Sequence, residues 1–379
     1  MRNLYYFVKK FGKQSFKEFP FNEVDSLILS QLSYLNLDNF VPKLEDKLSE
    51  SLSLIEQLNE NNIYELSVDT LDEKRNKKLL KLLTKTTRYQ GLKVNYYQNQ
   101  FCTEKIEQFC ALTFVFDEFN YVAYRGTDLT FVGWQEDFNL VLMDVIPAQA
   151  DASNYLDIVS KLSDKPIYLG GHSKGGNLAL YAALDCNDSI KDRIIKIYDH
   201  DGPGFSSDIY RSTSFLKLEG KLDKTTCREA MVGILLYHSE KMRFVDSRSI
   251  SIFQHDPYNW KVTKDGQFKL VKNSNLMSRT FEKTVSMFIE KTSMEDRKEF
   301  IEILFKLAKE HPKSTIFDFK KHPINYIKGI YTRYKALTHN QRVFFKRFLK
   351  AYQKLWSQNF RYYLKRSLSF RKKLVSKRV

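Results

Sequence analysis

The sequence predicts an α/β protein: a mostly parallel sheet covered by helices, with a helical segment before it and a basic helical extension after it. Three observations predict this. Apolar strand-like runs alternate with helix-like runs after a hairpin signature, the pattern of a sheet crossed by helices. One strand-to-helix junction reads Gly171-His-Ser-Lys-Gly175. The last 69 residues, His311 to Val379, carry 19 Lys and Arg against a single acid, Asp318, while the rest of the 379-residue chain is close to neutral.

The elements follow in order. Val24, Leu27, Ile28, Leu32 and Leu35 recur at helical spacing behind Asn22, a candidate N-cap, so Phe21 to about Lys85 reads as mostly helical. Lys43 to Leu58 also reads as helix. Cys110 to Phe116 and Tyr121 to Tyr124 read as a hairpin across the turn Asp117 to Asn120. Arg125-Gly-Thr-Asp128 is a loop, and Trp134 to Leu142 and Asp151 to Leu162 are helices. Lys165 to Gly170 is a strand, and Asn177 to Leu184 a helix of small residues. Ile194 to Tyr198, Leu222 to Thr226 and Met242 to Val245 complete the strands. From Thr280 onward the pattern is helical, with Phe300, Ile303, Leu304 and Leu307 on one face. Phe345, Phe348, Leu349 and Tyr352 form a second stripe, continued by Leu355, Trp356 and Phe360. Pro312 and Pro323 break this region. The expected division is a helical segment over 1–85, a core over 86–275 and an extension over 276–379.

Composition narrows the function. The chain is 42% hydrophobic, enough for a large core. Cys102, Cys110, Cys186 and Cys227 form no paired motif, which argues against a disulfide framework or a zinc site and suits a reducing, cytoplasmic setting. No run of signal-peptide or membrane-span length is evident. No metal or other cofactor is implied.

Gly171 to Gly175 has the G-x-S-x-G form of a nucleophile elbow, in which a sharp strand-to-helix turn presents a serine hydroxyl. A serine needs a base to take its proton, an acid to orient that base and donors for the oxyanion. In the α/β-hydrolase fold the chain order is serine, acid, histidine. Ser173 is then the nucleophile. Asp201, in a Gly-Pro-Gly turn after an apolar strand, is the acid, with Asp246 and Asp199 as alternatives. His255, in a loop after the last strand, is the base. His238 is the alternative, although it ends a helix-like run. His200 adjoins the acid and is expected to point away from it, while His311, His322 and His339 fall in the tail. The Lys174 amide and Thr127, through its amide or hydroxyl, are the oxyanion donors.

Tyr124-Arg-Gly-Thr-Asp128, Trp134, Asp137 and Gly171-His-Ser-Lys-Gly-Gly176 resemble the core of class 3 lipases. Asp201-Gly-Pro-Gly-Phe205 resembles the acid-bearing turn of pancreatic-type lipases, which supports Asp201. The run from Pro20 to Leu35, the elbow with its flanks through Ala179, Asp201 to Phe205 and Gln254-His-Asp256 together resemble the Mbeg-like family. The resemblance implies a lipase-like fold and brings no established substrate. Class 3 lipases carry their acid in an Asp-x-Val-Pro-like segment, and the comparable Glu229-Ala-Met-Val-Gly233 lacks that Asp.

The expectation is a serine ester hydrolase acting on a small-molecule or lipid ester. The alternative is a catalytically weak protein of the same fold that binds a membrane surface or polyanion. The tail mixes its cations with Phe344, Phe345, Phe348, Trp356, Phe360, Tyr362, Tyr363 and Phe370. That composition suits an anionic membrane, so the expected location is cytoplasmic and peripheral at the inner membrane face. Packing on the core or binding nucleic acid are the other readings, and no nucleic-acid-binding motif supports the latter.

Overall fold

The computed structural model describes residues 2–46, 49–128, 130–140, 142–143, 145–238, 242–272, 274–308 and 323–375. A nine-stranded sheet organises it, and its spatial order follows the chain. The strands are β1 (Leu52–Ser53), β2 (Lys93–Cys102), β3 (Glu107–Val115), β4 (Asn120–Tyr124), β5 (Ile167–His172), β6 (Ile194–His200), β7 (Leu222–Cys227), β8 (Arg243–Val245) and β9 (Leu270–Val271). β1 to β4 form an antiparallel meander, β4 to β8 run parallel, and β9 returns antiparallel to β8.

The sheet is therefore mixed rather than mostly parallel. The expectation missed β2, whose alternation is broken by a bulge between Asn95 and Gln98 with Tyr96 at positive φ. It also missed the edge that β1 makes. Lys43 to Leu58 is not the expected helix among its described residues. Lys43 bridges to Tyr97, the Leu44 amide donates to the Tyr97 carbonyl (2.9 Å), and Leu52–Ser53 pairs with β2. Its apolar residues have helical spacing, but an open sheet edge offers backbone partners and buries Leu44, Leu54 and Ile55.

Both faces of the sheet are covered, so the central strands are apolar on both sides. Along β3, Cys110, Leu112 and Phe114 face one core cluster and Phe109 and Ala111 the other; along β4, Tyr121 and Ala123 oppose Val122 and Tyr124. The first cluster is closed by α1 (Leu4–Phe11), α2 (Glu23–Leu32), α3 (Glu60–Ser67) and α4 (Glu73–Leu83). The second is closed by α6 (Pro147–Lys161), α7 (Lys174–Asp185), α8 (Asp188–Arg193) and α9 (Thr213–Leu218). α5 (Phe131–Asn139) follows the loop after β4.

α2 shows why the N-terminal segment belongs to this core. Asn22 accepts from the Val24 and Asp25 amides, and Asp25 accepts from the Asn22 amide, a reciprocal cap. Val24 to Leu32 are all buried, so α2 is covered on every side. Its Asp25 pairs with Arg88 at 2.6 Å with both side chains fully buried, and the Tyr89 hydroxyl donates to the same carboxylate (2.5 Å). Arg88 also donates to the Phe19 carbonyl (2.7 Å) and lies over the Phe16 ring, which ties residues 14–25 to the start of the sheet.

The extension comprises α10 (Leu276–Lys291), α11 (Met294–Ala308), α12 (Pro323–Ala336) and α13 (His339–Val375). Its aromatic stripe packs partly inward, with Phe348 and Leu355 buried. The Phe348 ring lies 4.5 Å from Phe300 and 4.6 Å from Phe288, and Phe345 stacks on Phe300. α11 reaches the sheet domain at α5, where Phe305 meets Phe138 at 5.5 Å. Pro312, His311 and His322 lie outside the described residues. No helix of the described residues is long and apolar enough to cross a membrane.

Removing one partner of a buried ion pair leaves an uncompensated charge. Arg88→Met is expected to lower the unfolding free energy by about 3–5 kcal/mol in urea titration, with an unchanged slope. Adding Asp25→Asn is expected to recover part of that loss.

Candidate active site

The loops that leave the carboxyl ends of β4, β5, β6 and β8 supply every residue of the candidate site, which is where parallel sheets place functional groups. β5 ends at His172, α7 begins at Lys174, and Ser173 between them has φ 59°. A non-glycine residue held at positive φ carries backbone strain. Packing fixes the turn. A Cβ on Gly171 would stand 2.2 Å from the Gly175 carbonyl carbon, and one on Gly175 would stand 2.1 Å from the Tyr124 carbonyl oxygen. Both ends of the motif are thus in backbone-to-backbone contact, one across the turn and one with the end of β4. The Ser173 amide donates to the His200 carbonyl (2.9 Å), which ties the turn to β6.

The Arg125–Asp128 loop lies against this turn. A Cβ on Gly126 would stand 3.1 Å from the Ser173 Cβ. The Thr127 hydroxyl donates to both Asp137 oxygens at 2.6 Å, so of its two expected donors only the amide remains for an oxyanion. Lys174 is the first residue of α7, where an amide has no acceptor within the helix.

Asp201 follows β6, also at positive φ (59°), and is fully buried. One carboxylate oxygen meets His255 Nδ1 at 2.6 Å, and the other accepts from the Thr226 hydroxyl at 2.6 Å. Burial by itself would raise this carboxyl, but the hydrogen bond and charge of His255, with the Thr226 hydroxyl, hold it below its ordinary value. His255 ends a short 3-10 turn, Ser251–His255, anchored by the Trp260 indole N–H donating to the Gln254 carbonyl (2.8 Å). Its ring lies 4.6 Å from that of His172, the residue before Ser173. Burial drives the His172 ring down to about 3, so it is neutral, and its Nε2–H donates to the His255 carbonyl (2.8 Å).

The remaining sequence expectations separate on this geometry. His200 points away from Asp201: its Nε2 meets the Ser26 hydroxyl of α2 at 2.9 Å, and burial lowers its pKa to about 3. Asp199 is committed to structure, paired with Lys224 at 2.6 Å with both side chains fully buried and accepting from the Gly202 amide. Asp246 is held by Lys261 (3.0 Å) and Lys269 (3.1 Å). His238 packs beside Gly204, further along the turn that Asp201 begins.

Two features escaped the sequence. The Lys174 side chain turns inward, fully buried, to Glu136 of α5 (2.5 Å) and the Gln108 carbonyl of β3 (2.8 Å). Glu136 also accepts from the Gln108 and Ala148 amides. Adjacent acids of one helix therefore hold the two sides of the site, Glu136 the elbow and Asp137 the Thr127 loop. The second feature is Tyr34, whose hydroxyl donates to the His172 carbonyl (3.2 Å) and would clash with any Cβ on Gly126 (2.2 Å). The proximity of Trp134 and Asp137 to the loop motif hinted at α5, but nothing in a lysine's spacing signals that its side chain is buried. No group of residues able to hold a metal occurs among the described residues.

The model of the Mbeg1-like family matches residues 83–306, more than half of the sequence, and the chain belongs to that family. No curated protein and no solved structure matches it.

Burial raises the Asp137 carboxyl from 3.8 to about 6, against the opposing charge of Lys174 and the Thr127 hydroxyl. A carboxyl raised in the fold holds its proton more tightly there than in the unfolded chain, so ionising it costs the folded state stability. Its contribution is thus greatest below about pH 4 and is lost as pH rises through about 6, a change of about 3 kcal/mol. Asp137→Asn keeps an acceptor for Thr127 and removes the titration. The stability difference between variant and wild type, measured by denaturant unfolding, is expected to move in the variant's favour from about pH 4 to about pH 7.

Proposed function

We propose that this chain is a serine hydrolase of the α/β-hydrolase fold that cleaves acyl esters. The observation that carries the reading is the 2.6 Å bond from Asp201 to His255 Nδ1, beside a serine held at positive φ between strand and helix. The order Ser173, Asp201, His255 along the chain and the convergence of four strand ends support it.

With Nδ1–H given to Asp201, Nε2 is the basic nitrogen of His255. It takes the Ser173 proton as Oγ attacks the acyl carbon, and the carbonyl electron pair moves onto oxygen. The Lys174 and Thr127 amides hold that oxyanion. Collapse of the intermediate breaks the ester C–O bond, and His255 returns the proton to the departing alcohol. Water then attacks the acyl-enzyme by the same route, releasing the acid and restoring Ser173. Asp201 stays ionised throughout, orienting the ring and stabilising its cation; its lowered pKa fits that role.

Exposed apolar side chains favour a lipid-like ester. Ile250, Ile252 and Phe253 are exposed immediately before His255, and Phe138, Met143 and Val145 are exposed beyond the Thr127 loop. Apolar side chains concentrated beside a reactive site suit an acyl chain better than a small polar substrate.

A fluorophosphonate probe is expected to label wild type and not Ser173→Ala. Ester turnover is expected to fall by about 10³-fold or more in Ser173→Ala and by roughly 10²–10⁴-fold in Asp201→Asn, with kcat rather than KM carrying the loss. Unchanged turnover in Ser173→Ala overturns the reading.

A further inference from the structure

The fold sorts the tail's residues by helix face. On α13 the buried side holds Phe344, Phe348, Leu355 and Asn359, and Asn359 Nδ2 donates to the Thr284 hydroxyl of α10 (3.1 Å). This fixes the rotation of the helix. At 3.6 residues per turn, Val343, Lys346, Arg347, Lys350, Lys354 and Arg361 fall within an arc of about 100° on the opposite side. All six are exposed. From Lys346 to Arg361 they form a cationic stripe about 23 Å long. No Asp or Glu occurs after Asp318.

α12 adds apolar surface. It is anchored to α11 by Tyr326, whose hydroxyl donates to the Ala308 carbonyl (2.6 Å), and by Arg333 Nε donating to the Leu307 carbonyl (2.8 Å). Ile324, Ile327 and Tyr331, at i, i+3 and i+7, are instead 69%, 57% and 58% exposed. Lys328 and Lys335 share their arc, and Lys335 Nζ sits 4.5 Å from the Tyr331 ring centroid. Aliphatic side chains standing in water among cations are the residue set of a helix that lies in a membrane interface.

We propose that the outward faces of α12 and α13 dock this protein on the surface of an anionic phospholipid bilayer. Ile324, Ile327 and Tyr331 enter the boundary between headgroups and acyl chains. The α13 stripe, with Lys346, Lys350 and Lys354 at its centre, lies over the negative headgroups. The cations alone would suit any polyanion. The isoleucines decide for lipid, because hydrocarbon burial stabilises them there and a phosphodiester backbone offers them nothing. Phe348, at the centre of the aromatic stripe, takes no part in this role, since it is buried against Phe288 of α10 and Phe300 of α11.

The proposal needs no chemistry at Ser173, so it and the hydrolase reading stand or fall separately. The test is co-sedimentation of the full chain with phosphatidylcholine vesicles, with and without phosphatidylglycerol, at physiological salt. Binding is expected with the anionic vesicles only. Lys346→Glu, Lys350→Glu and Lys354→Glu together are expected to weaken it about 100-fold or more, given about 1 kcal/mol per cation near such a surface. Ile324→Ser with Ile327→Ser is expected to weaken it about 10-fold or more. Circular dichroism and thermal midpoints matching wild type exclude misfolding of these variants. Absent binding, equal binding to neutral vesicles, or no effect of the isoleucine variant overturns the proposal. So does binding to duplex DNA that is tighter than to the vesicles and insensitive to the isoleucine variant.

Discussion

At Gly171 to Gly175 two stretches of backbone touch with no room for a side chain at either end, and the end of β4 closes against them through the Tyr124 carbonyl. Much of the site follows from this contact. It fixes the turn that holds Ser173 at positive φ, and it sets β5, α7 and β4 at one distance. The Arg125–Asp128 loop, which leaves β4, must then pass directly beside Ser173. The serine amide is bonded to the His200 carbonyl, so the chain leaving β6 turns into Asp201 at a fixed place. A close-packed junction of this kind transmits position through contact, and a single added methyl group would be felt at all three strands.

Around that junction the fold commits buried charges to position rather than to net stability. Lys174 with Glu136, and Lys224 with Asp199, are ion pairs with no exposed side-chain surface. Desolvation offsets much of what such pairs gain, and apolar residues of the same volume could be as stable. What an apolar pair would lack is direction. Lys174 reaches the Gln108 carbonyl as well as Glu136, so it joins the elbow, β3 and α5 in one bonded unit. Asp199 receives the Gly202 amide and so shapes the turn in which Asp201 lies. The Asp201 carboxylate is held by Thr226, by the amide and thiol of Cys227 and by His255, and of these the histidine is partly open to solvent.

The extension obeys a different rule. Its helices bury Phe344 and Phe348 with Ile303, Leu307 and Leu337 and leave many cations outside, so one amphipathic sequence supplies both a small core and a charged surface. α12 also keeps Ile324, Ile327 and Tyr331 in water.

The sequence alone determined the local elements whose chemistry is local. The capped α2, the hairpin of β3 and β4 and the tight strand-to-helix turn at Ser173 were legible because turn chemistry and residue period are written in neighbouring positions. It also supplied Asp201 and His255 as first choices for the proposed acid and base, and the fold brings these two side chains into contact. Asp246 and Asp199 are tied to lysines distant in the chain, while the carboxylate of Asp201 meets the one histidine that the 3-10 turn before it presents. Tertiary structure decided what depends on long-range pairing. β1 and β2 replaced an expected helix and a blank because an exposed sheet edge outweighs helical spacing, and they made the sheet mixed. The inward turn of Lys174, the reach of Tyr34 from the turn after α2 to the Ser173 turn and the outward face of α13 likewise have no local signal. Each is fixed by which surface a side chain meets once the layers close, and spacing along a chain does not contain that.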